Sequence, residues 1–202
     1  RWSPYADDKI FQEKLATFIK AFAEEFDDPA RVDYIDAFNL GWWGEGHNIN
    51  LKAGNDNEQA KTEVIKWITT LYGEAFKRVP LVINYHNAIG EHNLDWVVEN
   101  QGYELRHDAF GSKYYADFER GYANKYKTRR MIVAESCYWF VNTDYGGAQS
   151  GEYDFTEQWR SDETYNPRAN SWRDVYKRTY SEALEARANM LDMRERREAE
   201  SW

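Results

Sequence analysis

The chain of 202 residues contains a single cysteine, Cys137. With no partner for an internal disulfide, it rules out a disulfide-stapled scaffold and leaves the redox compartment unread. A small buried apolar role suits it better than that of a nucleophile. No apolar run approaches the roughly 20 residues that a membrane span requires. His-x-His and His-Glu-x-x-His pairs are absent, as are a Gly-rich phosphate loop and a dinucleotide fingerprint, so no cofactor is expected. Basic residues are also in deficit: 26 Lys and Arg face 35 Asp and Glu, a net charge of −9. That balance argues against nucleic acid, whose binding needs a basic face to displace counterions. It equally disfavours anionic lipid surfaces and polyanionic substrates. No signal peptide is visible, but the first residue is Arg1 rather than Met, which points to an upstream portion and leaves localisation unknown.

Aromatic residues, by contrast, are abundant. Nine tryptophans and a 17% aromatic share suggest a ligand surface as well as a core. The 42% hydrophobic content is enough for one sizeable core. The chain is organised around Val32–His47. Val32 to Leu40 reads as a buried parallel strand. Gly41 and Gly44 then let the backbone turn sharply, and Trp42, Trp43, Glu45 and His47 lie among and just beyond them. Flat apolar faces beside an ionisable acid are what a sugar-processing cleft needs: indoles stack on a pyranose and a carboxyl moves a proton. In the competing reading the tryptophans are core and Glu45 is a solvated loop charge.

Taken in order, Asp7 or Asp8 caps a helix from about Lys9 to Phe26. Its Phe11, Leu15, Phe18, Ile19, Phe22 and Phe26 share one face, and Asp27-Asp28-Pro29 ends it. A second helix is expected over about Asn57 to Lys77, with Val64, Trp67, Ile68, Leu71, Tyr72 and Ala75 inward. The strand Leu81–Asn87 follows, then a helix over about Asn93–Asn100 and the strand Tyr103–Arg106 with His107–Gly111 as its exit loop. A helix over about Lys113–Tyr126 precedes the strand Arg130–Ala134, which delivers Glu135. Tyr145–Ala169 reads as a long functional loop. A last helix (about Ser171–Arg187) and a strand over Asn189–Arg194 close the pattern, and the charges from Arg194 to Glu198 read as a solvated helix face.

This alternation indicates parallel βα units. Polar or ionisable side chains gather where the strands end: Glu45 and His47, His86 and Asn87, His107 and Asp108, then Glu135. That edge carries the active site of a (β/α)₈ barrel, which needs about 250 residues and eight strands. Four or five strands are countable here. The expected architecture is therefore a single α/β domain, a partial TIM barrel comprising about strands four to eight. Its partner would be the N-terminal barrel strands of the same protein.

Val32–His47, Tyr103–Gly111 and Arg130–Glu135 resemble the corresponding segments of retaining glycoside hydrolases built on the (β/α)₈ barrel, the superfamily of β-galactosidases and agarases. The run from Phe26 through Asp36, followed by Gly41–His47, is similar to uncharacterised bacterial barrel proteins of the glycosidase-like type. The resemblance implies an acid/base glutamate after strand four and a nucleophilic glutamate after strand seven. Counting Val32–Leu40 as strand four puts Glu45 and Glu135 at those places. The usual strand-four motif is Asn-Glu, whereas here Gly44 precedes the acid.

The function thus expected is retaining cleavage of glycosidic bonds in a neutral saccharide, without a metal. Glu45 would be held protonated against Trp42 and Trp43, and Glu135 held ionised by Arg106, His107 or Tyr138. Trp42, Trp43, His47, Asn84, His86, Asn87, Arg106, Asp108, Tyr138 and Trp139 are the candidate subsite residues. Asp36 is read as a buried structural partner. Two alternatives compete: a carbohydrate-binding barrel without catalysis, and a metal-dependent hydrolase using His47, His86 and His107 with Asp108 or Glu135.

Overall fold

A computed structural model describes residues 3–111, 115, 117–136 and 172–192. Helix and strand alternate along it: α1 (Lys9–Phe26), β1 (Ile35–Asp36), α2 (Glu58–Ala75), β2 (Leu81–Asn84), a 3₁₀ turn (Asn87–Ile89), α3 (Glu91–Asn100), β3 (Glu104–Phe110), α4 (Asp117–Tyr126), β4 (Ile132–Ser136), α5 (Trp172–Glu185) and β5 (Met190–Asp192). The strands follow one another in chain order across one sheet. Pairing is parallel between β1 and β2, β2 and β3, and β4 and β5. The fold is α/β, as the alternation implies. Contacts divide the chain into two compact units, Arg1–Arg106 and His107–Trp202.

In the first unit, sequence chemistry sets the helix ends. Asp8 caps α1 by accepting the Phe11 N–H at 2.9 Å, and Asn57 caps α2 through the Ala60 N–H at 3.0 Å. Leu15, Ile19 and Ala23 are the buried stripe of α1. Phe18 is exposed and stacks on Phe22 with ring centroids 5.6 Å apart, so the six-residue face expected for α1 is narrower than its periodicity implies. In α2, Val64, Ile68 and Tyr72 are buried as expected, joined by Ile65 and Thr69. Asp27 does more than stop α1. Its carboxylate accepts the backbone N–H groups of Lys77, Arg78 and Val79 at 2.8, 2.9 and 2.8 Å, tying α1 to the entry of β2. Burial opposes ionisation of that carboxyl, but the three donors outweigh it and hold its pKa below the ordinary value.

Beneath the sheet, the Tyr103 hydroxyl donates to the Thr69 carbonyl at 2.9 Å and lies 3.3 Å from that of Ala37. Burial, with the charge of Asp36 added, pushes the Tyr72 hydroxyl up to about 12. Burial, followed by Tyr72 and Asp36, holds Tyr103 well above its ordinary value. The face of β1 to β3 opposite these tyrosines carries charge. Asp36, Val82 and Glu104 share one register row, and β3 alternates half-buried Glu104, Arg106 and Asp108 with buried Leu105, His107 and Ala109.

In the second unit, buried Glu182 of α5 accepts the Gly111 N–H at 2.7 Å and pairs with Arg120 of α4 at 2.6 Å. Asn189 brackets Ile132, donating its N–H to the Ile132 carbonyl at 2.8 Å and accepting the Ile132 N–H at 3.0 Å. That fixes the register in which Glu135 of β4 faces Asp192 of β5.

Several boundaries differ from expectation for physical reasons. The strand expected over Val32–Leu40 keeps only Ile35 and Asp36 in the ladder, because the backbone turns left-handed from Asn39 onward. His107 and Asp108 lie inside β3 rather than in its exit loop, since polar residues on one face do not end a strand whose other face stays buried. Glu135 likewise lies within β4. Cys137, Tyr138, Trp139, the loop over 145–169 and the charges from 194 to 198 fall outside the described residues.

Candidate functional site

The site assembles within the first unit on the segment 39–48, beside the carboxyl ends of β1 and β2 and Arg106 of β3. Six of its ten residues have positive φ: Asn39, Gly41, Trp43, Gly44, Gly46 and Asn48. Asparagine tolerates this region, whereas a tryptophan at φ +55° is strained and persists only where its surroundings over-determine it. Backbone bonds supply that constraint. The Trp42 N–H donates to His47 at 2.6 Å, Glu45 to Trp42 at 3.0 Å and Gly46 to Leu40 at 2.9 Å. A side chain at Gly41 would collide with the His47 carbonyl. One at Gly46 would meet Ile89 Cγ1 at 2.5 Å. The loop therefore closes on itself and presses against the turn after β2.

This geometry buries the acid and exposes the indoles. Glu45 is 8% exposed, while Trp42 and Trp43 are 49% and 68% exposed. Their ring centroids are 5.8 Å apart, edge to face. The Glu45 carboxylate faces Arg106. Its Nη1 and Nη2 donate to Glu45 Oε1 at 3.3 and 3.2 Å, and its Nε lies 3.4 Å from Asp36 Oδ2. Arg106, expected beside Glu135, thus bridges two acids of its own unit. Asp36 is a structural partner as expected, but its side chain is 37% exposed rather than buried.

The aromatic surface continues from Trp43 through His47, at 6.0 Å, to His86, whose ring lies 3.9 Å from that of His47. His86 Nδ1 accepts the Ala88 N–H at 3.0 Å, which caps the 3₁₀ turn and leaves the ring proton on Nε2. Asn84 is fully buried at the end of β2, and Asn87 is exposed. A separate groove of about 470 Å³ lies between α2 and α3, lined by Lys66, Trp67, Leu71 and Trp96 among others. It contains none of these residues.

In the second unit, His107 is fully buried, and its Nδ1 accepts the Ala109 N–H at 3.0 Å. The same nitrogen lies 3.4 Å from Asp108 Oδ1. Among the described residues, no group of three or more His, Cys, Asp or Glu side chains is placed to hold a metal ion. The three-histidine alternative finds no ligand set there. Glu135 is also buried.

Sequence reading missed the role of Ile89 and the charged face of β3. The alternation Glu104-x-Arg106-x-Asp108 was the available signal for the charged face. Nothing local marks Ile89 as the residue Gly46 must fit. Comparison with protein-family models, with characterised proteins and with solved structures finds no match.

Proposed function

We propose that the protein is a retaining glycoside hydrolase of the (β/α)₈ type, with the segment 39–48 and the carboxyl ends of β1 and β2 beside it as its sugar surface and further strands completing the barrel. One observation carries this reading: two adjacent tryptophans stand exposed on a conformationally constrained loop that also holds a buried, arginine-paired glutamate. Exposed indoles on a constrained backbone offer stacking area at little entropic cost to a ring-shaped ligand with apolar C–H faces. A guanidinium favours the ionised form of its partner carboxyl. Glu45 therefore suits the nucleophile or a fixed charge better than the proton donor, and this turns round the roles expected for Glu45 and Glu135. Sugar binding without hydrolysis is the second reading, favoured by the engagement of the Glu45 carboxylate with Arg106.

The test is hydrolysis of aryl glycosides and oligosaccharides by E45Q and E135Q, with sugar binding measured alongside. Loss of an essential acid/base group costs about 10²–10⁴-fold in turnover. Azide should restore turnover to E45A with inverted product if Glu45 is the nucleophile. Hydrolysis unaffected by either substitution refutes the two-glutamate mechanism. Binding with no hydrolysis in the unmodified protein establishes the second reading instead.

A further inference from the structure

We propose that the groove between α2 and α3 is a docking site for a proline-rich peptide with a basic residue at each end. The groove holds about 470 Å³, lies within the first unit and shares no residue with the segment 39–48. One wall is a single face of α2, running from Glu63 through Trp67, Thr70 and Leu71 to Glu74. Its two glutamates stand about three helical turns apart, or about 16 Å along the axis. The opposite wall is Trp96 of α3. Trp67 and Leu71, which their spacing places inward, are half-buried and turn apolar surface to the groove.

Shape, hydrogen bonding and charge select the occupant. A helix about 10 Å across and 16 Å long would fill roughly 1,250 Å³, so the groove suits an extended segment. A β-strand would need ladder partners, and the walls are helices whose backbone groups are bonded internally. Polyproline II needs no ladder, and about five of its residues span 16 Å. Among the described residues, neither the Trp67 nor the Trp96 indole N–H has an acceptor, and an indole N–H only donates. A proline-rich backbone offers carbonyls to such donors and has no N–H at its prolines to leave unsatisfied. Aromatic-lined grooves take polyproline segments in this way. Both ends of the α2 face are acidic and exposed. Among the described residues no ion pair engages Glu63 or Glu74, and Glu63 accepts from the neutral Gln59 amide at 3.0 Å. Lys66, the one cation of the lining, holds its Nζ 5.2 Å from the Trp96 ring centroid. Two carboxylates against one ammonium leave the lining negative, and basic residues flanking the prolines complement it. A neutral sugar chain would answer the indoles but not the acidic ends.

The probe is a blocked peptide of five prolines with an arginine at each end, compared by titration calorimetry with a counterpart in which serines replace the prolines. The proline form should bind at least about tenfold more tightly, because it is ordered before it docks and stacks on the indoles. E74Q should weaken it about threefold, the worth of one exposed ion pair, and raised salt should act in the same direction. W96A should cost at least about tenfold, whereas W43A should change nothing. T70R, which blocks the groove and keeps both indoles, should abolish binding, and it and the exposed E74Q decide the matter should W96A fail to fold. Equal binding of the two peptides overturns the inference, because the attraction would then belong to the acidic chain at large. Proline-peptide binding that survives T70R, or no binding of that peptide by the unmodified protein, also overturns it. A neutral oligosaccharide whose binding is lost in T70R and kept in W43A assigns the groove to sugar instead.

Discussion

Replacing Gly46 by alanine tests whether the loop is fixed as described. Two costs add at this position. The backbone sits at φ +87°, a conformation that penalises an L side chain by about 1–2 kcal/mol. The new methyl would also stand 2.5 and 2.8 Å from Ile89 Cγ1 and Cδ1 and 3.4 Å from Phe38 Cε1. Ile89 and Phe38 are both fully buried, so neither gives way into solvent, and overpacking of this kind costs about 1–3 kcal/mol. G46A should therefore lose about 2–5 kcal/mol, a drop of roughly 4–20 °C in melting temperature for a chain of this size.

Gly54 supplies the control. Its φ is +97° and a Cβ there meets nothing within 4 Å, so G54A carries the backbone cost alone, about 1–2 kcal/mol. Denaturant midpoints followed by tryptophan fluorescence measure both variants. The steric share is isolated by adding I89A: the double variant should fall short of the summed single costs by at least about 1 kcal/mol, whereas independent sites add within about 0.5 kcal/mol. If G46A costs no more than G54A, or the cycle with Ile89 is additive, Gly46 does not seat the loop on that turn and the account of a pressed-down Glu45 fails.

Two further outcomes follow from the same frame. Tyr72, lifted from its ordinary 10 to about 12, contributes stability that is complete below pH 10 and is lost as pH rises toward 12. The loss should reach roughly 2.7 kcal/mol across that window; between pH 10 and 12 the unmodified protein should therefore lose about that much stability relative to Y72F, and a difference that stays constant contradicts the shift. D27A should cost about 2 kcal/mol at neutral pH by orphaning three backbone donors. Because the Asp27 pKa is lowered in the fold, its stabilisation is present above the usual carboxylate range and fades as pH falls through the lowered value, so the D27A deficit should shrink in acid and a deficit that persists there argues against the ionised nest.

Local chemistry was legible where it was self-contained. Asp8, the apolar spacing to Phe26 and Asp27-Asp28-Pro29 define α1 end to end, and every described strand after β1 lies in or beside its expected segment. Boundaries failed where a strand carried charge on one face. His107 and Asp108 look like loop residues in one dimension, yet buried His107 and Ala109 keep β3 extended on either side of Asp108. The glycines of the loop announced a turn, but the left-handed Trp43 did not. That conformation is imposed by bonds such as the one from the Trp42 N–H to the His47 carbonyl. Least legible was the choice of partner for Arg106. It sits 61 residues from Glu45, and its sequence position allowed pairing with either glutamate. Only packing selects between them.

Each of the first three strands, or the turn that follows it, contributes one restraint to the same short loop. From β1 comes Asp36, which steadies the Arg106 guanidinium. The exit of β2 brings Ile89 against Gly46 and His86 against His47. From β3 comes Arg106, which pins Glu45. A loop that merely connected elements would need none of this, because connecting segments tolerate motion and substitution. Here positive-φ strain and two solvent-facing indoles are both retained, and both cost stability. Packing within the unit does not recover the cost of the exposed rings, since that area stays in water. A ligand that covers the indoles would recover it, so the apolar area exposed by Trp42 and Trp43 sets the scale of the binding free energy to be sought there.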